Sequence, residues 1–169
     1  MTLSEINSLD RAAFTVALGH LFEHSPWVAG EAWPRRPFRD AAHLHAALCA
    51  AMRAATRERQ LALIRAHPDL AGRLAQRNKL TTESTREQAS AGLDRLGDAE
   101  LAAFQQLNAA YLARFGFPFV ICARLNHRAT ILAAMQSRSS NSPEAEFATA
   151  LGEIEKIAQL RLTDQLQAR

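Results

Sequence analysis

Val and Ile together supply only nine of the 169 residues. A large sheet draws on β-branched side chains, so this shortage argues against a β-sandwich, a barrel and a dinucleotide-binding α/β domain. Cysteine is scarcer still. Cys49 and Cys122 stand alone in Ala-rich or apolar surroundings, with no C-x-x-C pair and no metal-ligand spacing. They read as buried free thiols in a reducing compartment. No apolar run approaches the roughly 18 residues that a membrane helix needs. The opening MTLSEINSLDR has neither the basic nor the apolar region of a secretory signal. A cytoplasmic protein without a membrane partner is expected.

A basic block is missing as well. Lys and Arg number 20 against 17 Asp and Glu, a net charge of +3 with an isoelectric point near 9.4. Arg35-Arg36 and Arg57-Glu58-Arg59 are short and interrupted, and two Trp, one Tyr and eight Phe leave few rings to stack on bases. The sequence therefore lacks a nucleic-acid footprint. What it has in quantity is Ala, at 34 residues, and Leu, at 22. A third of the chain is thus two strong helix formers. The expectation is an all-α fold: one compact multi-helix bundle in which residues 1–169 form a single domain, long enough to bury roughly 68–70% of its unfolded surface.

Local start and stop signals place the helices. One runs from about Leu9 to His20. Ser25 caps the next, with Pro26 at its first position, and it reaches Trp33 before Pro34 and Pro37 end it. Asp40 caps a helix from Ala41 to about Ala55. Thr56 caps another that stops before His67-Pro68. Further helices are expected over 69–78, 83–96, 99–115, 127–138 and 143–167, with Asp98 and Gly116 bounding the third of these and Ser142-Pro143 opening the last. Between Gly116 and Arg124 lies FPFVICA, apolar but without helical period and interrupted by Pro118. It reads as buried, extended or kinked backbone, whose N–H and C=O groups need partners; a polar ligand is one way to supply them.

Five patterns are weighed for possible chemistry. HLFEH at 20–24 matches the H-x-x-E-H string of a zinc peptidase. Ser25-Pro26 follows at once, so the second histidine falls at a helix end, and no third ligand is spaced to join it; a capping or surface role is preferred. His43 and His45, at i and i+2, diverge on a helix. His67 precedes a proline and is pushed out of helical geometry, so it sits at a junction, either as a titratable catalytic ring or as a histidine satisfied by backbone. Ser84, Glu87 and Gln88 form one helical stripe with Ala91, opposite Ala89, Leu93 and Leu96. By periodicity that stripe is an exposed polar face, or Ser84 and Glu87 are a capping box. Arg161 falls inside the apolar stripe of the last helix, formed by Phe147, Ala150, Leu151, Ile154, Ile157, Ala158 and Leu162. It needs an acidic or carbonyl partner if buried, and the alternative is snorkelling near the chain end.

Taken in order, EHSPWVAGEAW (23–33), HPDLAG (67–72), S-x-x-E-Q-x-S-A-G-L (84–93), FGFPFV (115–120) and Arg161-Leu162 resemble the OHCU decarboxylase family of urate catabolism. OHCU is 2-oxo-4-hydroxy-4-carboxy-5-ureidoimidazoline, which the family converts to (S)-allantoin and CO2. The resemblance spans nearly the whole chain. It implies an all-helical fold, a homodimer, and a carboxy-lyase that needs neither metal nor organic cofactor. It also implies a catalytic role for His67, Glu87 as its acidic partner, and a role for Arg161. Substrate contacts carry over to Pro68, to Ser84, Thr85, Arg86, Glu87 and Gln88, and to the backbone of Phe119, Val120, Ile121, Cys122 and Ala123. The chain stops at Gln-Ala-Arg without a peroxisomal tripeptide and carries no transthyretin-like domain. A free-standing bacterial cytoplasmic enzyme is expected from that.

Overall fold

Asp, Thr and Gly caps open most of the helices among the described residues. The computed structural model describes residues 1–71 and 80–167. Nine α-helices and no strand occur among the described residues. None of these helices is long and apolar enough to cross a membrane. Contacts divide the chain into two units, one of residues 1–66 with the chain from Glu155 onward, the other His67–Ile154.

The first unit begins with α1 (Leu3–Ser8), which the sequence pattern did not announce; six residues are too few to display a period. A reciprocal capping box holds it, Glu5 N–H donating to Thr2 Oγ1 and Thr2 N–H to the Glu5 carboxylate at 2.7 Å. The Thr2 amide and hydroxyl also draw the Glu5 carboxyl below its usual range. Asp10 caps α2 (Arg11–Leu18), which tightens into a 3-10 turn at Gly19–Leu21. Next come α3 (Trp27–Ala32), closed by a 3-10 turn at Trp33–Arg35 that contains Pro34, and α4 (Ala41–Ala54), capped by Asp40 as expected. In α5 (Arg57–Ala66), Thr56 accepts from Arg59 N–H. Ile6, Phe14, Leu18, Leu21, Phe22, Val28, Phe38, Leu44, Leu48, Met52, Leu63 and Ile64 are among the buried apolar residues of this part. Gln60, buried on α5, donates through Nε2 to the carbonyls of Met52 and Arg53 at 3.2 and 2.9 Å; the Met52 carbonyl also accepts from Ala55 N–H at the end of α4.

The second unit holds α6 (Thr82–Ser90), α7 (Asp98–Phe115), α8 (Arg128–Arg138) and the first half of α9 (Pro143–Gln167). The helix expected over 83–96 stops at Ser90. Gly92 adopts φ 77°, its N–H bonds the Ala89 carbonyl, and Leu93 N–H bonds that of Gln88. This paired closure needs a left-handed residue, and glycine supplies it without strain. Gly97, one residue before Asp98, is the cap of α7, while Gly116 ends it at φ 75° as read from the sequence. Of the helix expected over 69–78, Asp69 to Ala71 are loop and turn, and the rest lies outside the described residues. FPFVICA is irregular and buried from Phe117 onward apart from the short turn Ala123–Leu125, with Phe117 and Phe119 edge-on to Tyr111.

Candidate active site

His67 follows the last residue of α5, and the Pro68 ring prevents the helix from continuing through it. Its side chain is buried, and Pro68 beside it is half-buried. The loop that follows is fastened at three consecutive residues. Gln88 Nε2 donates to the Asp69 carbonyl at 3.3 Å, Asn108 Nδ2 to the Leu70 carbonyl at 2.9 Å, and Ala71 N–H to Gln88 Oε1 at 2.9 Å. Ala71 has φ 49°, a left-handed conformation that L residues rarely adopt. The Gln88 bond to its amide helps to hold it there. Gln88→Leu removes the side-chain partner of one buried and one half-buried backbone group and should cost about 2–4 kcal/mol in urea unfolding. An unchanged midpoint would show that the loop holds itself.

The polar stripe of α6 points inward. Ser84, Gln88 and Ala91 are buried and Glu87 half-buried, while Thr85 and Arg86 face solvent. Neither reading taken from periodicity holds. The cap is Thr81, whose hydroxyl accepts from Ser84 N–H, so Ser84 and Glu87 are not a capping box, and the face is not exposed. Hydrophobic arithmetic failed here because the neighbours of α6 are backbone loops, which bind amides rather than alkyl groups. One neighbour is the loop after His67. Another is the turn Ala123–Leu125, against which α6 packs, and the first residue of α8, Arg128, donates its N–H to the Ala91 carbonyl. His67, α6 and the stretch 119–123 thus belong to one unit, in which the loop after His67 and the turn that ends the stretch both meet α6.

All five residues from Phe119 to Ala123 are buried. Val120 carbonyl accepts from Arg138 Nη1 at 2.9 Å. Cys122 N–H donates to the Glu153 carboxylate at 2.8 Å, and its carbonyl accepts from the Asn126 amide at 3.0 Å. Burial pushes the Cys122 thiol up, and the carboxylates of Glu153 and Glu87 push it further. Cys49 is half-buried rather than buried, with its sulfur 3.3 Å from His45 Nε2; burial, with Glu155 added, raises its thiol to about 12. Neither sulfur is therefore a thiolate at neutral pH. Native protein should resist iodoacetamide at pH 8 and take up two equivalents in urea. Rapid labelling of native Cys122 would contradict its protonated state.

Arg161 belongs to the first unit and is buried there. Both Nη atoms donate to Glu23 Oε2 at 3.1 Å, and Nη1 also reaches the His20 carbonyl at 3.2 Å. The snorkelling alternative is excluded. The same contact dismantles the zinc-like string: the turn ends at Leu21, Glu23 is turned onto Arg161, and His24 lies exposed at φ 46°. Sequence reasoning did not single out Glu23, Asn108, Arg138, Glu146 or Glu153. A signal existed for Glu146, which the arithmetic that placed Arg161 puts one turn before Ala150 on the same stripe.

A sequence profile described as OHCU decarboxylase matches residues 7–163. A Haloferax volcanii protein named 2-oxo-4-hydroxy-4-carboxy-5-ureidoimidazoline decarboxylase is 44% identical over 99% of this chain and 98% of that protein. A mouse protein of the same name is 45% identical over 99% and 94%. Among solved structures, a crystal structure of (S)-allantoin synthase aligns with TM-score 0.77 and 31% identity, covering 99% of this chain and 54% of that one, about half its length. A crystal structure of OHCU decarboxylase in the presence of (S)-allantoin aligns with TM-score 0.71 over 94% of this chain and 99% of that one; at 22% identity the likeness is one of fold. Fold and likeness together define an all-α carboxy-lyase. The chain belongs to the OHCU decarboxylase family.

Proposed function

We propose that this chain catalyses the loss of CO2 from OHCU to give (S)-allantoin in urate degradation, with His67 and Glu87 handling the proton and without a cofactor. Breaking the bond to the carboxylate leaves an electron pair that the neighbouring C=N of the substrate accepts. The substrate is its own electron sink, and a proton replaces CO2 in the product. The protein has to orient the ring, strip water from the carboxylate and deliver that proton to one face. His67 is the proton-handling group. Glu87 orients it or holds the ureido N–H groups. Pro68, the inward α6 residues Ser84, Glu87 and Gln88 and the backbone of Phe119 to Ala123 hold the ring, while Thr85 and Arg86, which the family resemblance also implied, face solvent. Arg161 grips groups kept in the product, because clamping the departing carboxylate would stabilise the ground state.

The single observation that supports this reading is the inward polar face of α6, on which Ser84 and Gln88 are buried and Glu87 half-buried although periodicity predicted an exposed face. The whole chain acts as one catalytic domain, a homodimer in the cytoplasm, a reading that rests on the family resemblance. The test is to generate OHCU in place from urate with its upstream enzymes and to follow optical activity. Fast appearance of (S)-allantoin on adding the protein is expected; a rate equal to that without it would overturn the assignment. Light scattering of the purified protein checks the dimer.

A further inference from the structure

Behind the stretch 119–123 lies a buried ion pair that the chemistry above does not use. Glu146 has no exposure. Its carboxylate accepts from the Tyr111 hydroxyl at 2.5 Å, from Arg138 Nε at 2.7 Å and from Asn141 Nδ2 at 2.9 Å, and it pairs with Arg138 Nη2. Arg138 in turn lies 4.2 Å from the centroid of the Phe119 ring and donates to the Val120 carbonyl. A buried pair of this kind is a poor source of net stability, since apolar side chains of equal volume often hold helices as well. What a guanidinium fork locked on a carboxylate does provide is direction.

Direction matters at this position because a peptide unit is planar. Fixing the Val120 carbonyl fixes the Ile121 N–H, which points the opposite way in the same plane. Cys122 is extended at φ −69° and ψ 93°, and both its N–H and its carbonyl are taken, by Glu153 and by Asn126. On one edge of the stretch the Val120 carbonyl and both backbone groups of Cys122 are therefore held by side chains. The other edge carries the N–H groups of Ile121 and Ala123. Among the described residues neither has a hydrogen-bond acceptor, although both residues are buried. Buried amides without partners are rare unless a ligand or water completes them.

We propose that Arg138, held by Glu146, is a positioning residue for the decarboxylation: by gripping the Val120 carbonyl it aims the Ile121 amide at an oxygen of the substrate. The proposal rests on the reading that 119–123 contacts substrate. An amide aimed wrongly weakens a bond made equally to substrate, transition state and product, so binding suffers and turnover does not. Lysine at this position keeps the charge but has one ammonium for two acceptors.

The test measures Arg138→Lys in the coupled assay, with (S)-allantoin titrated against 15N-labelled protein. KM for OHCU and Kd for (S)-allantoin should rise together, about tenfold, while kcat stays within about threefold. Glu146→Gln, isosteric and uncharged, should move both constants the same way by less, and it decides by the same criterion if Arg138→Lys does not fold. A lower Tm with KM and Kd unchanged would make the pair merely structural and overturn the proposal. The underlying reading fails separately: wild-type protein would then bind (S)-allantoin without shifting the Ile121 and Ala123 amide resonances.

Discussion

Replacing His67 by Gln is expected to lower kcat roughly 10²–10⁴-fold, the ordinary worth of acid–base catalysis, in a protein that circular dichroism shows to be folded. Glutamine keeps a hydrogen-bonding head of similar reach but cannot titrate. Glu87→Gln should cost less, because it removes orientation or a substrate contact and leaves the ring in place. The double variant should be little worse than His67→Gln alone, since groups that act as a unit lose their function together. Glu87 is half-buried on the inward face of α6, and its charge adds to the rise of the Cys122 thiol. A folded Glu87→Gln enzyme with wild-type constants would remove it from the site, and multiplicative losses would reject the coupling.

The second large effect is on stability. Arg161→Met takes the guanidinium from the Glu23 carboxylate, which is 3% exposed, and should cost about 3–5 kcal/mol in urea unfolding, the range for breaking one side of a buried ion pair. Arg161→Met combined with Glu23→Leu should recover most of that loss, because no charge is then left behind. The recovered double variant separates two roles that the single variant confounds. If Arg161 also grips the substrate, its KM rises in the stable double variant. Wild-type KM and kcat there would leave Arg161 as a structural cation alone.

Local chemistry made much of this fold legible in the sequence. The caps at Asp40 and Thr56, the stop at His67-Pro68, the left-handed Gly116 and the opening at Pro143 are decided within four residues, and each is where the sequence puts it. Gly92 carried an equally local signal, but Leu93 and Leu96 continued an apolar period past it and the longer pattern was followed. Site residues divide by the same rule. Arg161 announced itself by standing in an apolar stripe, and the carboxylate it demanded is Glu23. The direction of α6 could not be read that way. Its buried face is polar because it serves backbone, and the partners, Asp69 and Ala71, are 19 and 17 residues away in the chain. Glu153 was invisible for a similar reason: a half-buried acid on a mixed helix face gains meaning only when the amide of Cys122 arrives beside it.

The two hydrogen bonds from Gln60 to the end of α4 tie the opening of one helix to that of its neighbour. Parting α4 from α5 would take the Gln60 donor from the Met52 and Arg53 carbonyls at once and leave Met52 only the Ala55 N–H, so neither helix can fray alone at that end. In hydrogen exchange the amides at the close of α4 and those around Leu63 and Ile64 should therefore report one common opening free energy, and Gln60→Leu should split them into two.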